Sequence, residues 1–127
     1  MTQPLQRILC VEDDPDIQTI ARLSLERVGE FEVLICASGR EALEAAPGFA
    51  PDLILLDVMM PVLDGPGTLA ELRKLPACAQ TPIVFVTARA QEHDVHYYRK
   101  LGAVDVINKP FDPMSFPEQI RAIWQRL

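Results

Sequence analysis

The sequence has few cysteines and no excess of positive charge, and each shortage excludes a class of protein. Three cysteines without a CxxC pair among 127 residues do not make a disulfide scaffold. A chain of this length buries a core without such cross-links. The 12 lysines and arginines are outnumbered by 18 aspartates and glutamates, which gives a net charge of −6. An acidic surface repels nucleic acid, so we expect no direct nucleic-acid partner.

Long apolar runs are also missing. No stretch approaches the roughly 20 apolar residues that cross a bilayer, and the opening MTQPLQR lacks the apolar segment of a secretory signal. We therefore expect a cytoplasmic protein without a membrane partner. Cys10 and Cys36 lie inside short apolar runs, where buried and unreactive thiols are common.

Five short apolar runs have the length of β-strands. The first four lack alternating polar residues, which is typical of parallel strands that are covered by helices on both faces. The runs occupy residues 8–11, 33–37, 53–56, 83–86 and 104–107.

Segments with a helical spacing of apolar residues separate these runs. Asp14 and Pro15 are typical of a helix start, and the first helix places Ile20 and Val28 on its apolar stripe before Gly29 ends it. The other four helices are predicted from Ser38 to Pro47-Gly48, after Gly65-Pro66-Gly67, at about 91–100, and at about 115–127 with Leu127 buried.

Alternation of five strands with five helices predicts an open, doubly wound α/β fold with a parallel sheet. We expect one domain over residues 1–127. A closed eight-stranded barrel would need about twice this length. Ligands of open parallel sheets bind beyond the carboxyl ends of the strands, so the residues that follow each run are the candidates for function.

Polar side chains follow four of the five runs. Glu12 and Asp13 follow the first run and Asp57 the third, whereas Thr87 and Lys109 follow the fourth and the fifth. Neighbouring strands would crowd the three carboxylates together, and two charges about 5 Å apart repel by roughly 3 kcal/mol. A hard divalent cation such as Mg²⁺ relieves this repulsion. A cation, a carboxylate nucleophile, a lysine and a hydroxyl together indicate phosphoryl transfer.

Helix capping explains Asp14 but does not explain Asp57. Asp14 precedes a proline at a helix start, where an aspartate caps backbone N–H groups. After Asp57 the chain continues as VMMP, and no helix begins there. Asp57 is therefore interpreted as a functional residue.

Five short motifs resemble those of the response-regulator receiver domain of two-component signalling. They are VEDDP at 11–15, LILLDVMMP at 53–61, DG at 64–65, VTA at 86–88 and NKPF at 108–111. Their order and spacing are specific, and the resemblance covers the whole chain. The resemblance implies a flavodoxin-like sheet with strand order 2-1-3-4-5.

The resemblance also implies a role for each acidic residue of the pocket. Asp57 corresponds to the phosphoacceptor. Glu12 and Asp13 correspond to the acidic pair that holds Mg²⁺ or Mn²⁺, with Asp13 as the direct ligand. The backbone carbonyl of Met59 would be a further metal ligand.

Four further positions follow from the same resemblance. Lys109 would pair with the phosphoryl group, Thr87 would hydrogen-bond to it, and a cis peptide bond before Pro110 would direct the lysine inward. The sequence departs from the family at Val106, three residues before the lysine. Receivers usually have an aromatic switch residue there.

The implied partners are proteins. A histidine kinase or a histidine phosphotransfer protein would supply the phosphoryl group. A downstream protein would bind the surface of the fourth helix, fifth strand and fifth helix, and a phosphorylation-dependent dimer is a further option. The chain would phosphorylate and dephosphorylate only itself and would not be an enzyme. It fits both a stand-alone receiver and a domain of a longer protein.

Other functions find less support in the sequence. A haloacid-dehalogenase-like phosphatase would need an acid at Met59, and a P-loop nucleotide-binding protein would need a GxxxxGKS or GxxxxGKT motif. Both features are absent from the sequence. A phosphorylation-independent interaction module on the same fold stays open, because Val106 replaces the aromatic residue.

Overall fold

The computed structural model describes residues 3–127. Five strands form one parallel sheet: β1 (Arg7–Val11), β2 (Glu32–Cys36), β3 (Leu53–Asp57), β4 (Ile83–Thr87) and β5 (Asp105–Asn108). Their order in the sheet is β2-β1-β3-β4-β5, so the predicted order is confirmed.

Five α-helices connect or follow the strands. They are α1 (Pro15–Leu23), α2 (Gly39–Phe49), α3 (Gly65–Arg73), α4 (Glu92–Leu101) and α5 (Phe116–Gln125). α1 continues into a π-helical turn at Ser24–Val28, and a 3-10 turn at Pro76–Cys78 follows α3. Within residues 3–127, no helix is both long enough and apolar enough to cross a membrane.

The central strands divide their apolar side chains between two cores. In β3, Ile54 and Leu56 face the core that α2, α3 and α4 cover, whereas Leu53 and Leu55 face the core that α1 and α5 cover. All four side chains are buried. Since both faces of the sheet are covered, the central strands have unbroken apolar runs instead of alternating ones.

Two predicted helix caps are confirmed. The carboxylate of Asp14 accepts a hydrogen bond from the backbone N–H of Asp16 at 2.9 Å. The hydroxyl of Ser38 accepts one from the backbone N–H of Glu41 at 3.1 Å. Such caps satisfy N–H groups that have no partner inside the helix, so both helices start where the sequence placed them.

Two predicted helix boundaries are wrong, the end of the second helix and the start of the third. α2 does not stop at Pro47 but continues to Phe49, and the N–H of Ala50 donates to the carbonyl of Ala46 at 2.9 Å. A proline in the last turn removes one hydrogen bond without breaking the turns before it. α3 begins at Gly65, inside the segment that was expected to precede it, because a proline is tolerated in the first turn.

Three apolar residues that were expected to pack inward lie at the surface. The exposed fractions are 43% for Ile20, 40% for Val28 and 40% for Leu127. Ala21 and Leu25, which lie on the same predicted stripe, are buried as expected. Val28 lies in the π-helical turn, which shifts its direction. Leu127 lies beyond the end of α5.

The three cysteines are buried free thiols. Burial raises the pKa of Cys10 to about 12 and that of Cys36 to about 11, and it also raises the pKa of Cys78. The burial predicted for Cys10 and Cys36 is confirmed. Because the thiolate is the reactive form, the raised pKa values favour unreactive thiols, which stays a prediction.

Candidate functional site

The topology gathers the predicted polar residues at the carboxyl ends of four strands. Glu12 directly follows β1, Asp57 is the last residue of β3, and Thr87 is the last residue of β4. Lys109 follows β5 and donates its backbone N–H to the carbonyl of Thr87 at 2.8 Å. Since β3 lies between β1 and β4, the carboxylate of Asp57 has the other groups on both sides.

The side chain of Lys109 joins the acidic residues of β1 and β3. Its ammonium nitrogen lies 2.6 Å from Oε1 of Glu12 and 3.3 Å from Oδ1 of Asp57. Both carboxylates are buried, and the lysine side chain is only 15% exposed. The Lys109-Pro110 peptide bond is cis, the isomer that the resemblance implies.

Glu12 is held on both its backbone and its side chain. Its N–H donates to the carbonyl of Cys36 at 2.9 Å, which fixes the chain just after β1. Its Oε2 accepts a hydrogen bond from the N–H of Asp14 at 3.0 Å. The side-chain amide of Gln18 donates to the carbonyl of Glu12 at 2.6 Å. Gln18 was not predictable as a site residue from sequence, since a lone glutamine in an amphipathic helix belongs to no motif.

Asp57 is fixed by the loop that follows it and by the start of α3. Its Oδ1 accepts a hydrogen bond from the N–H of Met59 at 3.3 Å. Gly65 donates its N–H to the carbonyl of Val58 at 2.9 Å. A Cβ at Gly65 would lie 2.6 Å from the carbonyl oxygen of Asp57 and 2.7 Å from Cα of Val58. These distances are shorter than non-bonded contacts, so only glycine allows this close approach.

Asp64 fixes the start of α3, next to the close contact between Gly65 and the end of β3. It caps α3, and its Oδ1 accepts a hydrogen bond from the N–H of Gly67 at 2.8 Å. The DG motif at 64–65 therefore combines a helix cap with a residue that has no side chain. Its physical role becomes visible only when the helix start and the end of β3 are seen together.

The charges of the pocket shift its pKa values. Burial raises the pKa of Asp57 to about 7, and the charge of Glu12 adds to the rise while Lys109 opposes it. Burial lowers the pKa of Lys109, but the hydrogen bond to Glu12 and the charge of Asp57 outweigh burial, so its pKa is raised. The lysine therefore stays charged, and it compensates only part of the negative charge around it.

Three carboxylates lie close together and form a candidate cation-binding site. Ligand oxygens of Glu12, Asp13 and Asp57 all lie within 4.8 Å of one another. Asp13 is exposed whereas the other two are buried, so the group opens to solvent on one side. Hard oxygen donors and access for water are what Mg²⁺ requires. This acidic cluster can therefore hold a divalent metal ion.

An open cleft of about 260 Å³ contains the cluster. Besides the three acidic residues, Met59, Thr87 and Lys109 line it. The metal-ligand role of the Met59 carbonyl stays a prediction. Val106 is not among the described residues that line the cleft. It pairs with Phe85 across β4 and β5, and it is partly buried against the core that α2, α3 and α4 cover.

Thr87 lies at the edge of the cleft with its side chain buried. Only 1% of the residue is exposed. Its hydroxyl oxygen accepts a hydrogen bond from the backbone N–H of Arg89 at 3.1 Å. The hydroxyl proton of Thr87 is therefore available to another acceptor.

Comparison with known proteins identifies the family. Residues 8–121 match the model of the response regulator receiver domain. The chain belongs to this family. The receiver is 39% identical over 121 residues to the alkaline phosphatase synthesis transcriptional regulatory protein PhoP of Bacillus subtilis. This alignment covers 95% of the chain and 49% of PhoP. It is also 40% identical over 122 residues to the transcriptional regulatory protein CpxR of Klebsiella pneumoniae, in an alignment that covers 96% of the chain and 50% of CpxR.

Solved structures agree with this assignment. The chemotaxis protein CheY4 of Vibrio cholerae superimposes with a TM-score of 0.86 at 28% identity, over 94% of this chain and 99% of CheY4. The receiver domain of the sensor histidine kinase PA1611 of Pseudomonas aeruginosa has a TM-score of 0.80 at 33% identity, with 97% of each chain covered. That structure has a magnesium ion coordinated in its active site cleft. The receiver spans about half the length of the curated relatives named above.

Proposed function

We propose that this receiver accepts a phosphoryl group on Asp57, in a reaction that requires Mg²⁺ or Mn²⁺. A phosphohistidine of a histidine kinase or of a histidine phosphotransfer protein is the proposed donor. The observation that carries the proposal is the position of Asp57, whose buried carboxylate lies 3.3 Å from the ammonium of Lys109 inside a cluster of three carboxylates. Such a constellation suits a nucleophile that receives a group rich in negative charge.

The proposed reaction is a displacement at phosphorus. A carboxylate oxygen of Asp57 forms a bond to phosphorus while the bond from phosphorus to the donor imidazole breaks, and the imidazole nitrogen keeps the electron pair. The product is an acyl phosphate. Glu12, Asp13 and Asp57 would hold the divalent cation, which would supply positive charge to stabilise the phosphoryl group.

Lys109 and Thr87 are the proposed partners of the phosphoryl group. The Lys109 ammonium already contacts Asp57, so a phosphoryl group on that carboxylate stays within its reach. The hydroxyl of Thr87 opens on the same cleft and donates to a phosphoryl oxygen. Preorganised donors of this kind stabilise charge that develops in the transition state.

We propose that this chemistry is confined to the chain itself, with no separate substrate turned over. The acidic second position of a dehalogenase-like phosphatase corresponds to Met59, an exposed residue whose thioether has no acid function. Water then attacks the phosphorus while its bond to the Asp57 oxygen breaks, so inorganic phosphate leaves, the free carboxylate returns and the signal ends. The cytoplasmic location stays a prediction.

The proposed output surface comprises α4, β5 and α5. Asp105 of β5 lies 3.1 Å from Arg99 of α4 and 2.5 Å from Arg126, which follows α5. These ion pairs join the three elements, so a shift of α4 changes the charge pattern of the whole surface. A downstream protein, or a second phosphorylated copy, is the proposed occupant.

The direct test is the mass of the intact protein after incubation with Mg²⁺ and acetyl phosphate. We expect a gain of one phosphoryl group that disappears in Asp57→Asn and in the presence of a chelator. Asp16→Asn is the matched control, because it makes the same change at an exposed position outside the cluster, and it should keep the gain. Absence of any gain in a folded wild-type protein would overturn the proposal and favour the phosphorylation-independent interaction module.

A further inference from the structure

α1 carries a glutamine that the proposed function has not used. The side-chain amide of Gln18 donates a hydrogen bond to the backbone carbonyl of Glu12 at 2.6 Å. The backbone N–H of Gln18 donates to the carbonyl of Asp14 at 2.9 Å, in the first turn of α1. The main chain of Gln18 is therefore fixed in the helix, while its side chain reaches back six positions to the end of β1.

The bonded carbonyl belongs to the peptide group that joins Glu12 to Asp13. The carbonyl oxygen of Glu12 and the N–H of Asp13 lie in one plane, because a peptide group is planar. A donor that holds the oxygen therefore fixes this plane, and with it the direction in which the chain enters Asp13. Within residues 3–127, no hydrogen bond other than that from Gln18 reaches this carbonyl.

The other bonds of the two acids do not act on this peptide group. Glu12 donates its N–H to the carbonyl of Cys36 at 2.9 Å. Its carboxylate contacts Lys109 and the N–H of Asp14. Asp13 is exposed, and no hydrogen bond or ion pair to the residues that the structure describes holds its carboxylate. The direction of Asp13 therefore depends on the bond from the glutamine.

We propose that Gln18 is a positioning residue for the divalent cation. By holding the carbonyl of Glu12, it keeps Asp13 directed toward Asp57, so that ligand oxygens of the acidic cluster lie within 4.8 Å of one another before the cation binds. Groups that orient metal ligands in this way strengthen metal binding without touching the metal. This inference rests on the proposed function, whose cation is the one that Gln18 positions.

Mg²⁺ and Ca²⁺ differ in how strictly they depend on such positioning. Mg²⁺ needs a nearly ideal octahedral arrangement of oxygens, whereas Ca²⁺ accepts a flexible one. Loss of the bond from Gln18 should therefore weaken the binding of Mg²⁺ more than that of Ca²⁺. A purely structural role of Gln18 would weaken both equally or leave both unchanged. The ratio of the two affinities thus reports positioning, and it is insensitive to nearby charge because both ions carry the same charge.

Calorimetric titration of the full chain with each cation tests the proposal. Gln18→Met keeps the length of the side chain but cannot donate a hydrogen bond. In this variant, we expect the Kd for Mg²⁺ to rise about tenfold, as is typical when a group that orients a metal ligand is lost. The Kd for Ca²⁺ should rise by less than about threefold. An equal change for both cations, or no change for Mg²⁺, would overturn the proposal.

Gln125→Met is the matched control. Gln125 is the last residue of α5, it is exposed, and it does not line the cleft. The variant makes the same replacement in a helix, and glutamine and methionine have similar helix propensities. We expect the wild-type Kd for both cations. Urea unfolding without cation shows whether each variant is folded before it is titrated.

Gln18→Lys restores a donor and keeps the proposal testable if Gln18→Met does not fold. A lysine ammonium donates to a carbonyl as an amide does, but its positive charge repels both cations alike. We expect both Kd values to rise while their ratio stays that of the wild type. A ratio that shifts toward Ca²⁺ would overturn the proposal.

The rate of phosphorylation by acetyl phosphate separates positioning of the cation from a role in the reaction itself. Gln18 is not among the described residues that line the cleft. At saturating Mg²⁺, Gln18→Met should therefore be phosphorylated at nearly the wild-type rate, whereas the Mg²⁺ concentration for half the maximal rate should rise about tenfold. A lower maximal rate with an unchanged Mg²⁺ requirement would contradict the proposal.

The mass measurement with acetyl phosphate separates this inference from the proposed function. If wild type binds Mg²⁺ but gains no phosphoryl group, the proposed function fails, and the titrations still decide the role of Gln18. If wild type gains the group while Gln18→Met binds both cations as wild type does, only the inference fails.

Discussion

The ammonium of Lys109 lies 2.6 Å from a carboxylate oxygen of Glu12, although 97 positions of the chain separate the two residues. The contact exists because β1 and β5 end at the same edge of the sheet. It places the lysine between two buried carboxylates.

Removal of the lysine charge should slow phosphorylation more than it affects folding. We expect Lys109→Met to lower the rate of phosphorylation by acetyl phosphate by about a hundredfold, because one preorganised charge next to the phosphoryl oxygens is lost. Timed intact-mass measurements give the rate. Lys74→Met is the control, since Lys74 is an exposed lysine that pairs with Glu71 at 2.7 Å. An unchanged rate in Lys109→Met would contradict the role given to the lysine.

The raised pKa of Asp57 should make stability depend on pH. The pKa is about 7 in the folded protein and 3.8 for the ordinary group, so the folded state binds more protons between these values. Wild type without divalent cation therefore loses stability as the pH rises through this window. Asp57→Asn lacks this carboxylate and keeps its stability over the same pH range. We expect its free energy of unfolding to exceed that of the wild type by about 2 kcal/mol at pH 8 and to be nearly equal at pH 4.

Urea unfolding at the two pH values measures this difference. Asp16→Asn should show no such dependence, because Asp16 is exposed and lies outside the acidic cluster. Equal stability of wild type and Asp57→Asn at pH 8 would show that the Asp57 carboxylate is not under electrostatic strain.

A divalent cation should stabilise the folded receiver through Asp13. A ligand that binds only the folded state adds about 2.7 kcal/mol at a concentration one hundred times its Kd. We expect Mg²⁺ to raise the unfolding temperature of the wild type and to have little effect on Asp13→Asn. If the variant keeps the full shift, Asp13 is not a ligand and the cation binds elsewhere.

The packing at the start of α3 should not tolerate a methyl group. Gly65→Ala places a Cβ 2.6 Å from the carbonyl oxygen of Asp57, and backbone atoms cannot move aside as a flexible side chain can. We expect a loss of about 2 kcal/mol in the free energy of unfolding, with slower phosphorylation because Asp57 shifts.

Gly48→Ala is the natural comparison, because no atom lies within 4 Å of a Cβ built there. Gly48 lies in α2, where alanine is the better helix former, so this variant should gain about 0.5 kcal/mol or stay neutral. Similar losses in both variants would mean that the close approach at Gly65 does not constrain the site.

The fold was predictable from sequence because its signals are local or follow from the covered sheet. Leu53–Asp57 has four apolar residues in a row since both faces of β3 are covered. The caps at Asp14 and Ser38 act within three residues of themselves. These are short-range rules that a sequence displays directly.

Features that depend on contacts between distant segments were not predictable in the same way. The role of Gly65 depends on the carbonyl of Asp57, and the role of Gln18 depends on how α1 leaves the end of β1. Tyr98 is the buried residue of α4, so the helix shows no apolar stripe that would mark it. α2 continues through Pro47 because this proline lies in the last turn of the helix. The sequence shows the proline but not its position relative to the helix end.

The most direct test of the account identifies the residue that carries the phosphoryl group. Borohydride reduces an acyl phosphate to an alcohol, so a phosphorylated aspartate is converted to homoserine. After treatment with acetyl phosphate and Mg²⁺ followed by borohydride, we expect peptide sequencing by mass spectrometry to find homoserine at position 57. Homoserine at another position, or none in a protein that is folded and supplied with Mg²⁺, would contradict the account.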